Sequence, residues 1–187
     1  MAGHPLGHMT ISPLRDRTTP ASGTHSRDGG GPLWDIIELL FFAYRDFVSD
    51  PDEVLAKLGF GRAHHRVVHF VTRNPGMKVA DLLGILNITK QSLGRVLKQL
   101  VDQGFVVQKE GANDRRQRLL YATPKGEALA MKLAGLQTER IDRALGELDP
   151  GAREAACRFL MAMIDAEDRD SVQRLISRAD QTRHPKT

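Results

Sequence analysis

Residues 79–106, VADLLGILNITKQSLGRVLKQLVDQGFV, decide the fold of this chain because they predict two short helices joined by a tight turn. In each half the apolar residues recur at i, i+3, i+4 and i+7, which places them on one helix face. They are Val79, Leu82, Leu83 and Leu86, then Leu93, Val96, Leu97 and Leu100. Thr89 has the hydroxyl of a good N-cap for the second helix, and Gly104 is suited to end it. The pattern predicts a helix-turn-helix.

A β-hairpin with a charged tip is predicted directly after this motif. Residues 105–107 and 119–122 are β-prone, and the Gly-Ala-Asn-Asp sequence at residues 111–114 favours a turn. Thr123 and Pro124 then combine an N-cap hydroxyl with a proline at the first helical position, so another helix is expected. A hairpin in this place makes the motif a winged helix-turn-helix.

The net positive charge of the chain is concentrated in the same region. The 187 residues have a formal net charge of +4. Residues 87–120 contain seven basic and three acidic side chains, so this window alone matches the charge of the whole chain. A localised basic surface is the expected footprint of phosphate binding, but charge alone does not distinguish it from an ordinary solvated surface.

The polar residues of the second helix face outward if its apolar residues face the core. They are Thr89, Lys90, Gln91, Ser92, Arg95 and Lys98. Gly94 lies among them with no side chain to hold the helix away from another surface. Gln can pair with adenine and Arg with guanine, while Lys and hydroxyl groups bind phosphate. We therefore expect this helix to enter the major groove of DNA, with a merely solvated face as the alternative.

The segment before the motif is predicted to be helical. The apolar pattern over residues 33–48 is wider than one small domain usually covers, so a second subunit is a candidate neighbour. The Ser-Asp-Pro-Asp sequence at residues 49–52 is expected to break this helix, with a short helix possible to Leu58. A further helix is expected over residues 62–72.

The segment after the hairpin is predicted to be helical as well. One helix is expected from Pro124 to about Leu148, and Asp149 with Pro150 repeats the signal for a helix start. The helix that follows is expected to reach Ile164. Residues 172–176 either extend it or form a short extra helix.

These features together resemble the MarR family of bacterial winged-helix transcription regulators. The resemblance covers residues 33–164 and is strongest over residues 79–126, where NDRRQRLLYATPKGEAL (residues 113–129) follows the stretch quoted above. The family's wing signature is Asp-x-Arg, then a strand, a Thr and a Gly. The matching residues are Asp114, Arg116, Thr123 and Gly126. The implied fold is mainly α with a small β-hairpin wing, a winged helix-turn-helix domain joined to a helical dimerisation region (α+β).

The resemblance implies a homodimer that binds double-stranded DNA at a pseudo-palindromic operator. Residues 32–75 and 124–178 then form the helical dimerisation region, and residues 76–123 form the winged helix-turn-helix domain. Residues 1–31 are expected to be a disordered N-terminal arm, and residues 179–187 a flexible tail.

The wing supplies further DNA contacts in this interpretation. Arg116 matches the family's minor-groove arginine, and Asp114 is placed to hold its guanidinium by a bidentate pair. Arg115 and Arg118 add positive charge to the same wing.

The resemblance also implies a pocket for a small aromatic or anionic effector between the dimerisation region and the winged domain. The expected lining residues are Tyr44, Phe47, Phe60, His64, His65 and His69. His65 and His69 are four residues apart on one helix face, which is also a metal-ligand spacing. A purely structural histidine cluster is the alternative, and we expect neither a metal nor a cofactor.

Cys157 is the only cysteine, which excludes an intrachain disulfide. It either senses oxidation, with Arg153 and Arg158 nearby to favour the thiolate, or packs on an Ala-rich helix. A redox- or metal-responsive regulator of the same family is therefore an alternative function.

Enzyme function is not expected, because the chain lacks a Gly-rich phosphate loop, G-x-S-x-G and H-E-x-x-H. A membrane span is not expected either, since no apolar stretch approaches about 18 residues. With no signal-peptide pattern, a cytoplasmic location is expected. The predicted function is a homodimeric, sequence-specific repressor controlled by a small ligand. The alternative is a winged-helix protein that coats DNA without sequence preference or binds protein.

Overall fold

The computed structural model describes residues 31–111 and 117–183. The helices and strands of this part are, in order, α1 (Trp34–Ala56), α2 (Arg62–Arg73), β1 (Met77–Lys78), α3 (Val79–Leu86), α4 (Lys90–Asp102), β2 (Val106–Glu110), β3 (Arg118–Ala122), α5 (Pro124–Gly146), α6 (Ala152–Met163) and α7 (Ala166–Arg183). The predicted fold class, mainly α with a small β wing, is confirmed. Almost all of the predicted arm, together with Asp114, Arg115 and Arg116, lies outside the described residues.

The three strands form one antiparallel sheet in the order β1-β3-β2. β2 and β3 are the predicted hairpin, in which Glu110 lies opposite Arg118. The sequence did not predict β1, whose Met77 lies opposite Leu120. Leu120 is fully buried, so the sheet's central strand enters the core.

The helix-turn-helix formed by α3 and α4 has the predicted local chemistry. Thr89 is the N-cap of α4, and its Oγ1 accepts a hydrogen bond of 3.1 Å from the Ser92 amide. Gly104 follows α4 with a φ of +73°, as expected for the glycine that ends a helix. The turn between the helices also needs a left-handed residue, Asn87, at φ +48°.

One hydrophobic core joins the helix-turn-helix to its neighbours. Its fully or almost fully buried members include Leu55, Val67, Val68, Val71, Leu82, Leu86, Leu93, Leu97, Leu100, Val106, Leu120 and Leu133. The apolar face of α4 is wholly buried, as predicted, whereas Val79 and Leu83 of α3 pack only against the edge of the core. In the described part of the chain, no helix combines the length and the apolar character needed to cross a membrane.

The prediction that α1 breaks at residues 49–52 was wrong, because the helix continues through Pro51 to Ala56. Proline cannot donate to the carbonyl four residues earlier, and it costs a helix interior about 3 kcal/mol. Pro51 and Leu55 are both fully buried. Their burial against the core outweighs the local preference for a break.

The predicted start of α6 also needs correction. Asp149 and Pro150 form a turn rather than a cap, and the Asp149 carbonyl accepts a hydrogen bond of 3.1 Å from the Ala152 amide. Gly151, at φ +92°, is the N-cap residue. A left-handed φ favours glycine, so the helix starts after Gly151 and not at the proline.

Residues 172–176 belong to an extra helix, one of the two expected alternatives, rather than to an extension of α6, but this helix, α7, is longer than expected at 18 residues. Arg169 donates to the carbonyls of Ala162 and Ile164, which satisfies two of the acceptors at the end of α6. α7 continues past residue 178, where the tail was predicted to begin. Burial of Ala179 and an ion pair of 2.7 Å between Asp180 and Arg73 of α2 hold this end of α7.

Candidate nucleic-acid interface

α4 has one buried face and one exposed polar face. The exposed residues are those predicted for DNA contact: Thr89, Lys90, Gln91, Ser92, Arg95 and Lys98. Gly94 lies among them, and a Cβ added there meets nothing within 4 Å. We call these seven residues the α4 surface. Its side chains are exposed because the apolar residues that anchor the helix lie on the opposite face.

The first turn of α4 offers several hydrogen-bond donors to a ligand. Thr89 Oγ1 accepts from the Ser92 amide and donates to Ser92 Oγ at 2.9 Å. The Ser92 hydroxyl therefore keeps its own proton for another acceptor. The free amides and the positive dipole end of a helix N-terminus also favour an anion at this position.

The basic side chains of the candidate interface either form no ion pair with a described residue or form only exposed ion pairs. Lys90 and Arg95 form no ion pair with any other residue in the described part of the chain. Lys98 pairs with Asp102 one turn later, and Arg118 Nη1 lies 3.1 Å from Glu110 Oε1 in the hairpin. Both pairs are exposed, and exposed ion pairs stabilise a protein little. These side chains can therefore exchange their carboxylates for phosphates at low cost.

Thr123 fixes the hairpin between α4 and α5. Its Oγ1 donates to the Gly104 carbonyl at 2.7 Å and accepts from the Gly126 amide at 3.1 Å. The second bond is the predicted N-cap of α5, with Pro124 at the start of the helix. The base of the hairpin is thereby attached to the segment that follows α4 and to the start of α5.

The sequence did not predict two polar contacts that α2 makes with the helix-turn-helix. Arg66 Nη2 donates to the Leu86 carbonyl at 2.9 Å and satisfies the C-terminus of α3. His64 Nε2 lies 2.6 Å from Gln99 Oε1 of α4. Gln99 is four residues after Arg95, so helical spacing alone could have added it to the outward-facing residues.

The structure places the first four predicted effector-pocket residues in different surroundings. Phe60 and His64 are buried and stacked, with ring centroids 4.6 Å apart, and Phe60 belongs to the hydrophobic core shared with the helix-turn-helix. Tyr44 is exposed, and the guanidinium of Arg62 lies 5.8 Å from its ring centroid. Phe47 is half-buried. Phe60 and His64 are the only pair among these four that the structure brings into ring contact.

His65 and His69 are half-buried on α2. Burial lowers the pKa of His65 below its ordinary value, while the nearby carboxylate of Asp52 partly opposes this shift. His69 lines a shallow groove between α2 and α7, together with Phe70, Arg73, Asn74, Leu175, Ile176 and Ala179. The described residues contain no cluster of three or more His, Cys, Asp or Glu that could hold a metal ion. Cys157 is exposed on α6.

The fold and the α4 surface define a class of protein. A helix-turn-helix with an exposed polar second helix, followed by a β wing, is the architecture of winged-helix DNA-binding domains.

Comparison with known proteins places the chain within this class. The sequence model of the MarR family matches residues 58–117. The chain is 43% identical over 139 residues, 74% of its length, to the HTH-type transcriptional regulator PetP of Rhodobacter capsulatus, of which the match covers 84%. The chain belongs to the MarR family. It is a DNA-binding transcription regulator and not an enzyme.

Solved structures with the same fold support this assignment. The transcriptional regulator SlyA superposes with a TM-score of 0.61 at 22% identity, covering 74% of this chain and 99% of SlyA. Streptococcus pneumoniae FabT, solved in complex with DNA, gives a TM-score of 0.62 at 14% identity, covering 71% and 94% of the two chains. At these identities the likeness establishes the fold.

Proposed function

We propose that the chain is a homodimeric, sequence-specific regulator whose α4 surface reads the major groove of a pseudo-palindromic operator. The observation that carries this proposal is the α4 surface itself. Its six polar side chains are exposed while the other face of the helix is buried. Because the core holds α4 in place, its polar face is presented to DNA without rearrangement.

The residue types on the α4 surface suit base reading combined with phosphate binding. Gln91 and Arg95 lie one turn apart and can pair with adenine and guanine edges. Lys90 and Ser92, at the start of the helix, can bind the flanking phosphates. Gly94 allows the helix backbone to approach the bases closely.

A homodimer is supported by apolar surface that the chain leaves uncovered. On α1, Trp34 is 62% exposed, Leu39 66% and Phe41 71%. α6 has no buried residue, and its Leu160 is 57% exposed. Large contiguous apolar patches are rare on the surfaces of monomers. A second copy of the chain is the partner proposed to cover α1 and α6.

The wing is proposed to bind DNA beside the major groove. Arg118 is exposed, and its pairing with Glu110 is weak enough to exchange for phosphate. Arg116 is proposed to enter the minor groove, with Asp114 orienting it and Arg115 close to the backbone. A narrow, A·T-rich minor groove favours such an arginine.

Repression controlled by a small aromatic or anionic effector is proposed as the mode of regulation. Tyr44, Phe47, His65 and His69 lie on α1 and α2, where α1 leaves the core and α2 supports the helix-turn-helix. An effector bound there acts on the dimer and on α4 at once. Phe60 and His64, being buried, can respond to it only indirectly.

The decisive experiment combines operator selection with a charge placed on the α4 surface. Fragments of the source genome are selected with the purified protein, and binding to the selected operator is compared with binding to a random duplex at fixed salt. Gly94→Glu should weaken operator binding at least tenfold without unfolding, because the added side chain meets open space.

The matched control is Gln173→Glu, which adds the same charge at an exposed position on α7. Equal binding of wild type to operator and random duplex would favour the sequence-independent DNA-coating alternative. Normal operator binding by Gly94→Glu would show that α4 does not form part of the DNA-binding interface.

A further inference from the structure

His64 is the only buried polar residue in the described part of the chain, and both of its ring nitrogens have hydrogen-bond partners. The Gly61 amide donates to Nδ1 at 3.1 Å, and Nε2 lies 2.6 Å from Gln99 Oε1. The ring also stacks on Phe60, with an interplanar angle of 8°. Three contacts therefore fix the position and plane of this imidazole.

The hydrogen bond from Gly61 determines which way the amide of Gln99 points. A backbone N–H can only donate, so Nδ1 of His64 is the acceptor and its proton resides on Nε2. Nε2–H then needs an acceptor, which is Oε1 of Gln99 and not its amino group. The Gln99 amide is thus anchored by its oxygen, while its two N–H donors remain available.

Those donors have no acceptor among the residues that the structure describes. Gln99 is exposed and lies one turn after Arg95, directly after Lys98, the last residue of the α4 surface. In helices that enter the major groove, the N-terminal residues reach the base edges. Glutamine side chains are also common donors to phosphate oxygens.

We propose that Gln99 donates a hydrogen bond to a backbone phosphate of the operator, and that His64 is a positioning residue that holds the Gln99 amide in the donating orientation. This inference rests on the proposed placement of α4 in the major groove. Since His64 lies at the start of α2, the hydrogen bond also ties α2 to the contact between α4 and DNA.

A double-mutant cycle on the full-length protein tests the positioning role. Gln99→Ala removes the donor, and His64→Phe keeps the ring stacking but removes both hydrogen bonds. Each change should weaken binding roughly tenfold, the loss expected for a hydrogen bond to a charged group. The double variant should bind no more weakly than Gln99→Ala alone. Because phosphate is the partner, operator and random duplex should lose affinity by the same factor.

Gln99→Glu provides a test that leaves His64 unchanged, in case His64→Phe fails to fold. The Glu carboxylate still accepts from His64 Nε2–H but has no donor and repels phosphate, so binding should fall further than in Gln99→Ala. In the free wild-type protein, the ¹⁵N shifts of the His64 ring should show the proton on Nε2. A proton on Nδ1 would contradict the proposed orientation of Gln99.

Independent losses that multiply in the double variant would overturn the positioning role, and wild-type binding by Gln99→Ala would overturn the phosphate contact. Operator binding by Arg95→Ala distinguishes an error in the inference about Gln99 from an error in the proposed function. If Arg95→Ala weakens operator binding and Gln99→Ala does not, only the present inference is wrong. If neither change matters, α4 does not face DNA.

Discussion

The carbonyl oxygen of Phe105 lies so close to Gly126 that a Cβ at position 126 would be 2.1 Å from it. The same carbonyl accepts the amide of Thr123 at 3.1 Å. Phe105 lies between α4 and β2, immediately before β2, and Gly126 lies in the first turn of α5. The Gly of the wing signature is therefore required because the backbone that leads into β2 and the start of α5 are in direct contact.

Gly126→Ala should destabilise the protein by about 1–3 kcal/mol or prevent folding, since neither backbone can yield without disturbing the core. The control is Gly135→Ala in the same helix, where an added Cβ meets nothing within 4 Å. That change should increase stability by up to about 1 kcal/mol through helix propensity. Urea denaturation measures both, and equal stability of the two variants would contradict the close-contact explanation.

Arg95→Ala and Gln91→Ala should each relax operator specificity by about 1–3 kcal/mol at one base position. Both side chains are exposed and no core contact depends on them, so the fold should be unaffected. The measurement is binding to the operator and to single-base variants at constant salt. Equal loss on operator and random DNA would show that these residues touch only the backbone.

Arg116→Ala should weaken operator binding with the fold intact, because Arg116 matches the minor-groove arginine of the wing signature. Asp114→Ala should do nearly as much by releasing that arginine. Arg118→Ala is the control within the same wing and should have a smaller effect, because Arg118 is proposed to contact only phosphate whereas Arg116 is proposed to enter the minor groove. Titrations of the operator with each variant at two salt concentrations would measure these losses of affinity. An unchanged affinity of Arg116→Ala would show that the wing does not take part in DNA recognition.

Phe41→Glu should destabilise the dimer, because the new carboxylate would be buried without a partner at the interface between subunits. Phe41 is 71% exposed within one chain, so the monomer fold should tolerate the change. DNA binding should fall with dimer stability, since two half-sites about 10 bp apart must be bound together. Analytical sedimentation across a dilution series measures the dissociation of the dimer.

Phe41→Leu keeps the apolar surface and should remain dimeric. If wild type and Phe41→Glu sediment alike at every concentration, the first part of α1 does not form the interface.

His65→Gln should reduce the loss of stability on acidification. Burial lowers the pKa of His65 in the folded state, so the unfolded chain binds more protons as the pH falls below about 6.5. The free energy of unfolding should thus fall as the pH drops from the ordinary pKa through the lowered one, and it should be fully restored above the ordinary value. Denaturant titrations at pH 5 and pH 7.5 compare the two proteins, and an unchanged pH dependence in His65→Gln would assign it to other groups.

The winged helix-turn-helix could be predicted because its signals are local. The cap at Thr89, the glycine at residue 104 and the periodic apolar residues of α4 each act over a few positions. The break expected at Pro51 was wrong because burial in the core, which no local pattern shows, outweighs the cost of proline. β1 has only two residues, too few for a strand period.

The candidate site could be predicted only in part for the same reason. The outward face of α4 follows from helix geometry, but the contact between His64 and Gln99 joins residues 35 positions apart. Phe60 and His64 were expected to line a pocket because aromatic and histidine side chains suit ligands and cores equally well. Only the tertiary structure shows that both are buried.

α1 is one continuous helix through Pro51, and it is fixed to the core mainly at its C-terminal end. Its buried residues are Val48, Pro51 and Leu55, so the core fixes only the last part. The segment from Trp34 to Val48 is about 21 Å long at 1.5 Å per residue, and a tilt of about 10° moves its tip by about 4 Å. Bending concentrates near Pro51, where one backbone hydrogen bond is missing. In the proposed dimer, small angular changes near Pro51 would therefore be amplified into displacements large enough to alter the distance between the two α4 helices.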